Sequence, residues 1–351
     1  MMRPTPHLTT LFVLALTGLS TCWAAAQSQP GSAPSPFQTQ GDRHMGDYEG
    51  IWTLGPDSGQ PLCAHVVSVE PGKYELVLRP SFTDPPPVDA RLEGHPEGPS
   101  RVVFAGIDPL DPALRISAVL QDGIIEATVS PDYGGFRLER ARRVSPTMGA
   151  KPPEGALVLF DGTNLDAWEH VPGAGAARPC RWLMLEGGVM EVRDGGIITR
   201  KHFTDCKAHV EFRLPFMPGR REQQRANSGV YLQGRYEVQI LDTFGMPALV
   251  NGCGSIYNVA PPRVNMCLAP LEWQTYDIIF RAPRFDPDGK MIVAPRLTVV
   301  HNGVTINENQ PVPGPTRASL DANVTLPGGL HLQDHGNPVQ FRNIWLVESA
   351  D

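Results

Sequence analysis

YLQGRYEVQILDTFG, residues 231–245, holds the most informative alternation in the chain. Successive side chains of a strand point to opposite faces, so Glu237 and Gln239 share one side and Val238 and Ile240 the other. The Val/Ile side suits a core. The other side sets a carboxylate beside a carboxamide, behind Arg235 and ahead of Asp242. Two readings fit: ordinary solvent-facing sheet residues, or the lining of a groove that handles a polar substrate.

Runs of the same kind surround it. YEGIWTL (48–54), CAHVVSVE (63–70), KYELVLR (73–79), RVVFAG (101–106), GIIEATV (123–129) and GFRLER (135–140) are short, β-branched or aromatic, and separated by Gly, Pro and Asp. They predict a small antiparallel barrel or sandwich over 44–145. RRVSPTMGAKPPEGA (142–156) breaks the pattern, with a connector placed at 146–156. A second series then fills 157–351, including AHVEFRL (208–214), SGVYLQG (228–234), WQTYDIIFR (273–281), RLTVVHNGVTIN (296–307) and VQFRNIWLVE (339–348). Its Asn302-Gly303 pair is a strong two-residue hairpin signal. So many strands in about two hundred residues predict a two-sheet sandwich of jelly-roll type. The 35 glycines and 36 prolines, without a collagen period, agree with an all-β chain. No amphipathic helix longer than about three turns is evident.

Residues 1–26 read as a secretion signal: Arg3, the apolar run LTTLFVLALTGLS (8–20) and small residues before a cut after Ala26. The run is shorter than the roughly 18 residues a membrane span needs, so no span is expected. Cys22 raises a lipoprotein alternative, but Thr21 before it fits that signal poorly. An exported, periplasmic or secreted protein is the expectation, with a Pro/Ser/Gln-rich linker over 27–43. Removing the signal takes away one Arg and moves the formal charge from −7 to −8, which disfavours nucleic acid or an anionic bilayer as a partner. Five cysteines then remain. Cys253–Cys267 is the first choice for a bridge in an oxidising compartment. No cysteine or histidine spacing marks a zinc site, and no glycine-rich phosphate loop follows a strand.

LVLFDGTNLDAW (157–168), GGIITRKHFTDCKAHVEFRL (195–214), NSGVYLQGRYEVQILDTFG (227–245), LEWQTYDIIFRAPRF (271–285), NGV (302–304) and LQDHGNPVQFRNIWL (332–346) occur in that order. Together they closely resemble the 3-keto-disaccharide hydrolase family, over about 157–347. The resemblance implies a concanavalin-like lectin/glucanase sandwich. It also implies action on glycosides whose C3 hydroxyl a partner sugar 3-dehydrogenase has already oxidised. The N-terminal module resembles a small β domain that precedes this one in some bacterial members, with no activity attached.

A C3 ketone acidifies the proton on C2 and lets the C1 substituent leave by elimination. That chemistry asks for a base near C2, a hydrogen-bond donor or cation at the C3 oxygen, and a proton source for the departing oxygen. Glu237, mid-strand on the polar face, is the first candidate for base or for ligand to a divalent metal. His335 is the second, as base, acid or metal ligand. His331, Gln333 and His335 share a face if that segment is a strand, although Asp334-Gly336-Asn337-Pro338 also makes a turn. His331 is read as a structural residue. Gln239, Asn227, Tyr231 and Gln333 suit substrate hydroxyls or a sugar face. Lys201, beside Arg200, suits an enolate oxygen or is a solvated basic pair. Arg342 is read as pairing with Glu237 or Asp242, and Asp242 as opening a groove wall over 242–273. MPGRREQQRA (217–226) reads as a solvated tip. No nucleotide cofactor is expected, no other cofactor is certain, and a divalent metal is left open. A noncatalytic carbohydrate-binding sandwich and a conventional glycosidase using Glu237 and Asp242 are the alternatives.

Overall fold

Strand alternation decides the architecture from the first described element onward. The computed structural model describes residues 37–85, 90–171 and 178–349; the expected signal, Cys22 and most of the linker lie outside them. Eight antiparallel strands, from Gly46–Leu54 to Gly134–Ala141, pair in sequence order, and the last pairs with the first. Closure removes the open edges that two lone sheets would expose. In the strand Arg115–Gln121, Ile116, Ala118 and Leu120 are buried while Arg115, Ser117 and Gln121 are exposed. The inward residues of all eight strands fill the barrel, with Leu76, Leu92, Val102 and Leu138 fully buried.

The following chain builds two sheets. One is six-stranded and ends in the order Ile197–Thr199, His331–Leu332, Ser228–Leu232, Tyr236–Ile240. The other is eight-stranded, with Gln340–Glu348, Cys206–Arg213 and Trp273–Arg281 side by side in its middle. They pack as a sandwich. Val230, Val238 and Ile240 of the first share an apolar core with Val210, Phe212 and Ile278 of the second. Tyr236 meets Phe280 at 5.4 Å between ring centroids, and the Tyr276 hydroxyl donates to the Gln239 carbonyl at 2.6 Å. The Asn302-Gly303 hairpin forms as expected: His301 faces Val304, with φ of 50° and 81° at the two turn residues.

The strand Tyr236–Ile240 is buried on both faces, not one. Its outer edge is covered as well. Gln239 N donates to Ser255 O, Tyr257 N to Glu237 O and Thr316 N to Arg235 O, so two irregular segments run along the edge and cover it. The segment 242–273 is therefore part of the sheet's margin. It also meets the barrel: His65 packs edge-on against Phe244, and Arg91 Nη2 donates to Gly245 O at 2.6 Å.

The expected Cys253–Cys267 bridge is corrected. Both residues are buried free thiols, each interacting with the other. Cys253 Sγ also lies 3.2 Å from the Tyr276 hydroxyl, and Cys267 faces backbone carbonyls.

Candidate active site on the polar face of the six-stranded sheet

Register places the candidate side chains before any contact is considered. Tyr231 sits opposite Glu237 on one flank and opposite His331 on the other. Gly229 sits opposite Gln239, and on its other side Gln333 N donates to Gly229 O at 3.0 Å. With the strand period of two, Asn227, Gly229, Tyr231, Glu237, Gln239 and His331 all project away from the sandwich core. The five sequence candidates Glu237, Tyr231, Gln239, Asn227 and Gln333 are thus brought together around Gly229.

Gly229 is the floor of this niche. A Cβ there would lie 2.4 Å from Glu237 Oε1 and 3.0 Å from Tyr231 Cε2, so the absent side chain is the space the carboxyl occupies. A glycine inside a strand commonly marks such a close approach. The Glu237 carboxyl is buried and hydrogen-bonded by the Tyr231 hydroxyl. Burial penalises its charged form more than that bond favours it, and its pKa is raised to about 8. The same carboxyl, together with burial, pushes the Tyr231 phenol well above its ordinary value. With its one hydrogen committed to Glu237, the Tyr231 hydroxyl accepts from Gln333 Nε2 at 3.0 Å and lies 3.3 Å from Arg317 O.

A residue missed in the sequence completes the wall. Gln223 stands in a single 3-10 turn, Glu222–Gln224, in the stretch read as a solvated tip. Its Oε1 accepts from Asn227 Nδ2 at 3.1 Å and from Gln239 Nε2 at 3.0 Å, and its Nε2 donates to Asn251 O at 3.1 Å. The insertion therefore folds back over the site. The signal available was the carboxamide pair Gln223-Gln224, four and three residues ahead of Asn227, flanked directly by Glu222 and Arg225.

The remaining candidates fall elsewhere. The strand holding His331 ends at Leu332, and His335 is exposed on the bend that follows. The alternation expected through His335 gives way to turn chemistry: Asp334 accepts from Gly336 N with one oxygen and from Gly195 N with the other. Both ends of this bend are tied to the site, since Ser228 Oγ donates to Gln333 O and Asn227 N to Asn337 Oδ1. His335 therefore sits at the rim, not against Glu237. His331 is structural, as read: its Nδ1 faces Ile197 O at 3.0 Å, and burial lowers its pKa to about 4, so the ring is neutral.

Arg342 is a correction. It lies in the eight-stranded sheet and donates to Glu211 Oε2 at 2.6 Å, with its guanidinium over Trp273; neither Glu237 nor Asp242 is its partner. Lys201 is a second correction, an exposed residue ion-paired with Glu348. Asp242 is a third: its side chain is fully buried and takes Arg225 Nε at 2.6 Å and Phe244 N at 3.2 Å, which makes it a support for the loop. The metal set suggested by Glu237 and His335 is not assembled. Among the described residues no three His, Cys, Asp or Glu side chains cluster as ligands, and the neighbours of Glu237 are carboxamides and a phenol.

One face of this two-sheet sandwich thus holds a buried, proton-retaining carboxyl with a tyrosine and carboxamides, and the family match and a 39% identical solved structure support a glycoside-acting hydrolase. The chain belongs to the family of the 3-keto-alpha-glucoside-1,2-lyase-like domain, whose signature matches residues 155–347. Among solved structures, one from Parabacteroides distasonis titled a "putative glycosyl hydrolase" is 39% identical. It covers 56% of this chain and 85% of its own, with a TM-score of 0.51. A second with the same title and organism is 18% identical, over 56% of this chain and 95% of its own, at a TM-score of 0.42. A search of curated proteins gave no match.

Proposed function

We propose that this protein cleaves 3-keto-glycosides by elimination followed by hydration. Glu237, in its ionised form, takes the proton from C2, and the electron pair forms the enolate with charge on the C3 oxygen. The Tyr231 hydroxyl turns its one hydrogen from Glu237 to that oxygen. The C1–O bond then breaks, leaving a C1–C2 double bond and the restored ketone, and the departing oxygen takes a proton. His335, on the rim loop, supplies it. Water finally adds, its oxygen to C1 and its hydrogen to C2, releasing the free 3-keto sugar. The carboxamides of Asn227, Gln239 and Gln333 hold ring hydroxyls.

The observation that carries this reading is the Glu237 carboxyl over Gly229, with a pKa of about 8. A base of that strength is matched to a weak carbon acid near neutral pH. The family match adds the oxidised substrate to the argument. The same reading takes the sandwich as a concanavalin-like jelly roll, the protein as exported, and a sugar 3-dehydrogenase as its functional partner. A conventional glycosidase needs two carboxyls flanking C1, and Asp242 is already committed to Arg225. A noncatalytic sugar-binding module draws support from the burial of Glu237, which is 2% exposed.

One assay separates the three. The purified protein is offered a 3-keto disaccharide and its unoxidised parent. Cleavage of the keto form alone is expected. Cleavage of the parent would mean a conventional glycosidase, and binding without cleavage a lectin-like module.

A further inference from the structure

We infer that Gln223, on the turn between the two sheets, is a positioning residue that sets the hydrogen-bond polarity of the niche. The inference rests on the proposed function for its substrate, and it adds a residue and a role to that reading.

The argument begins at a backbone carbonyl, which can only accept. Asn251 O takes a hydrogen from Gln223 Nε2, so the side-chain oxygen of Gln223 must face the other way. There it meets two carboxamides, and an acceptor requires them to present N–H. Asn227 Nδ2 and Gln239 Nε2 both point at it. A second backbone carbonyl, Gln223 O at 2.8 Å, fixes Asn227 independently. The consequence lies on the far side of each amide. Among the described residues Asn227 Oδ1 and Gln239 Oε1 have no partner, although the two residues are 2% and 1% exposed. Gln333 behaves alike, because the Tyr231 hydroxyl that accepts its Nε2 has its own hydrogen committed to Glu237, and Gln333 Oε1 is left over. Three buried acceptors thus surround Gly229, and their donors come from outside the chain. Buried acceptors rarely go unpaired, and sugar hydroxyls are donors of the right kind. The Gln223 amide, turned the correct way, thereby decides that Gln239 accepts from the niche, in concert with Asn227 and Gln333, which other partners turn the same way.

The turn carrying Gln223 is held for this task. Glu222 and Ala226 bracket it with φ of 50° and 53°, backbone angles that non-glycine residues seldom adopt. Arg225 ties one end to Asp242 of the sandwich, and Arg221 ties the other to Glu70 of the barrel. The barrel is thereby linked to the niche through the Gln223 turn.

The test contrasts two substitutions of nearly equal length. Gln223→Met fills the space without an acceptor. Gln223→Glu keeps an acceptor toward Asn227 and Gln239. With the 3-keto disaccharide as substrate, Gln223→Met raises KM about tenfold and moves kcat less than about threefold, the scale of one or two neutral hydrogen bonds. Gln223→Glu stays within about threefold of wild type in KM. A monodeoxy analogue of the substrate, lacking a hydroxyl that Gln239 reads, is penalised in the wild type and less so in Gln223→Met. Thermal melts confirm that the variants fold, and Gln223→Ala replaces any that does not. Equal KM values for Met and Glu, or no change in either, would overturn the assignment. If no keto sugar is cleaved, the proposed function falls while this inference is still read, through calorimetric affinity of the same variants for the disaccharides. A wild-type protein that binds neither sugar overturns both.

Discussion

Replacing Gly229 by alanine tests the heart of the site with a single methyl group. The new Cβ would lie 2.4 Å from Glu237 Oε1 and 3.1 Å from its Cδ. Ordinary contact needs roughly 3.4 Å, so the carboxyl must retreat by about 1 Å. It has little freedom to do so, since Tyr231 Cε2 is 3.0 Å from the same point and Glu237 N is held by Thr316 Oγ1 at 3.0 Å. A displacement of about 1 Å in a proton-transferring group typically costs about a hundredfold in rate. Overpacking adds about 1–3 kcal/mol of destabilisation. Gly314→Ala is the control, because nothing lies within 4 Å of its Cβ and its φ is not in the left-handed region. The assay is turnover of a 3-keto disaccharide beside a urea melt of each variant. We expect Gly229→Ala to fold, melt earlier and turn over about a hundredfold more slowly, and Gly314→Ala to match wild type. Wild-type turnover in a folded Gly229→Ala would show that the carboxyl above Gly229 takes no part.

Glu237→Gln should cut turnover by about a hundredfold and should also change how stability depends on pH. The carboxyl has a folded pKa of about 8 against an ordinary 4.5. Between those values the native state holds a proton that the unfolded state has released. Wild-type stability therefore falls relative to Glu237→Gln as pH rises from about 4.5 to about 8, by on the order of 1 kcal/mol per unit. Urea melts at pH 5 and pH 8 read this difference, and a pH-independent gap would mean the carboxyl is not perturbed. His335→Ala should lower turnover by about a hundredfold with an unchanged melt, since the side chain is exposed; full activity removes it from the mechanism. Arg342→Ala should cost about 1–3 kcal/mol by stripping Glu211 of a cation while leaving kcat within about twofold. Lys201→Ala should change neither stability nor turnover, and a loss of activity in either variant would return it to the site.

Much of the fold was legible because strand period and turn chemistry are local. The alternation through Glu237 and Gln239 named the right face, and Asn302-Gly303 the right hairpin. What alternation leaves open is what lies over a face. The outer edge of Tyr236–Ile240 is covered by chain from 254–257 and near 316, and the Gln223 turn reaches its polar side, contacts set by long-range folding. The same limit explains Arg342: its partner depends on which strand lies beside Gln340–Glu348, and Cys206–Arg213 brings Glu211 there. At His335 two local rules competed, and the Asp334-Gly336 turn overrode the alternation. Gln223 was hidden by its charged neighbours. Charges around a Pro-Gly stretch correctly mark an exposed turn, but they do not reveal one uncharged side chain turned inward.

Solvent deuterium gives the most direct test that Glu237 removes the C2 proton. The 3-keto disaccharide is cleaved in D2O, and the released sugar is examined by NMR and mass spectrometry beside an enzyme-free control. Elimination and hydration predict one deuterium at C2 of the product, with Glu237→Gln cleaving and labelling about a hundredfold more slowly. A product that keeps its original hydrogen at C2 would contradict the account, because the glycosidic bond would then have broken without that proton ever leaving carbon.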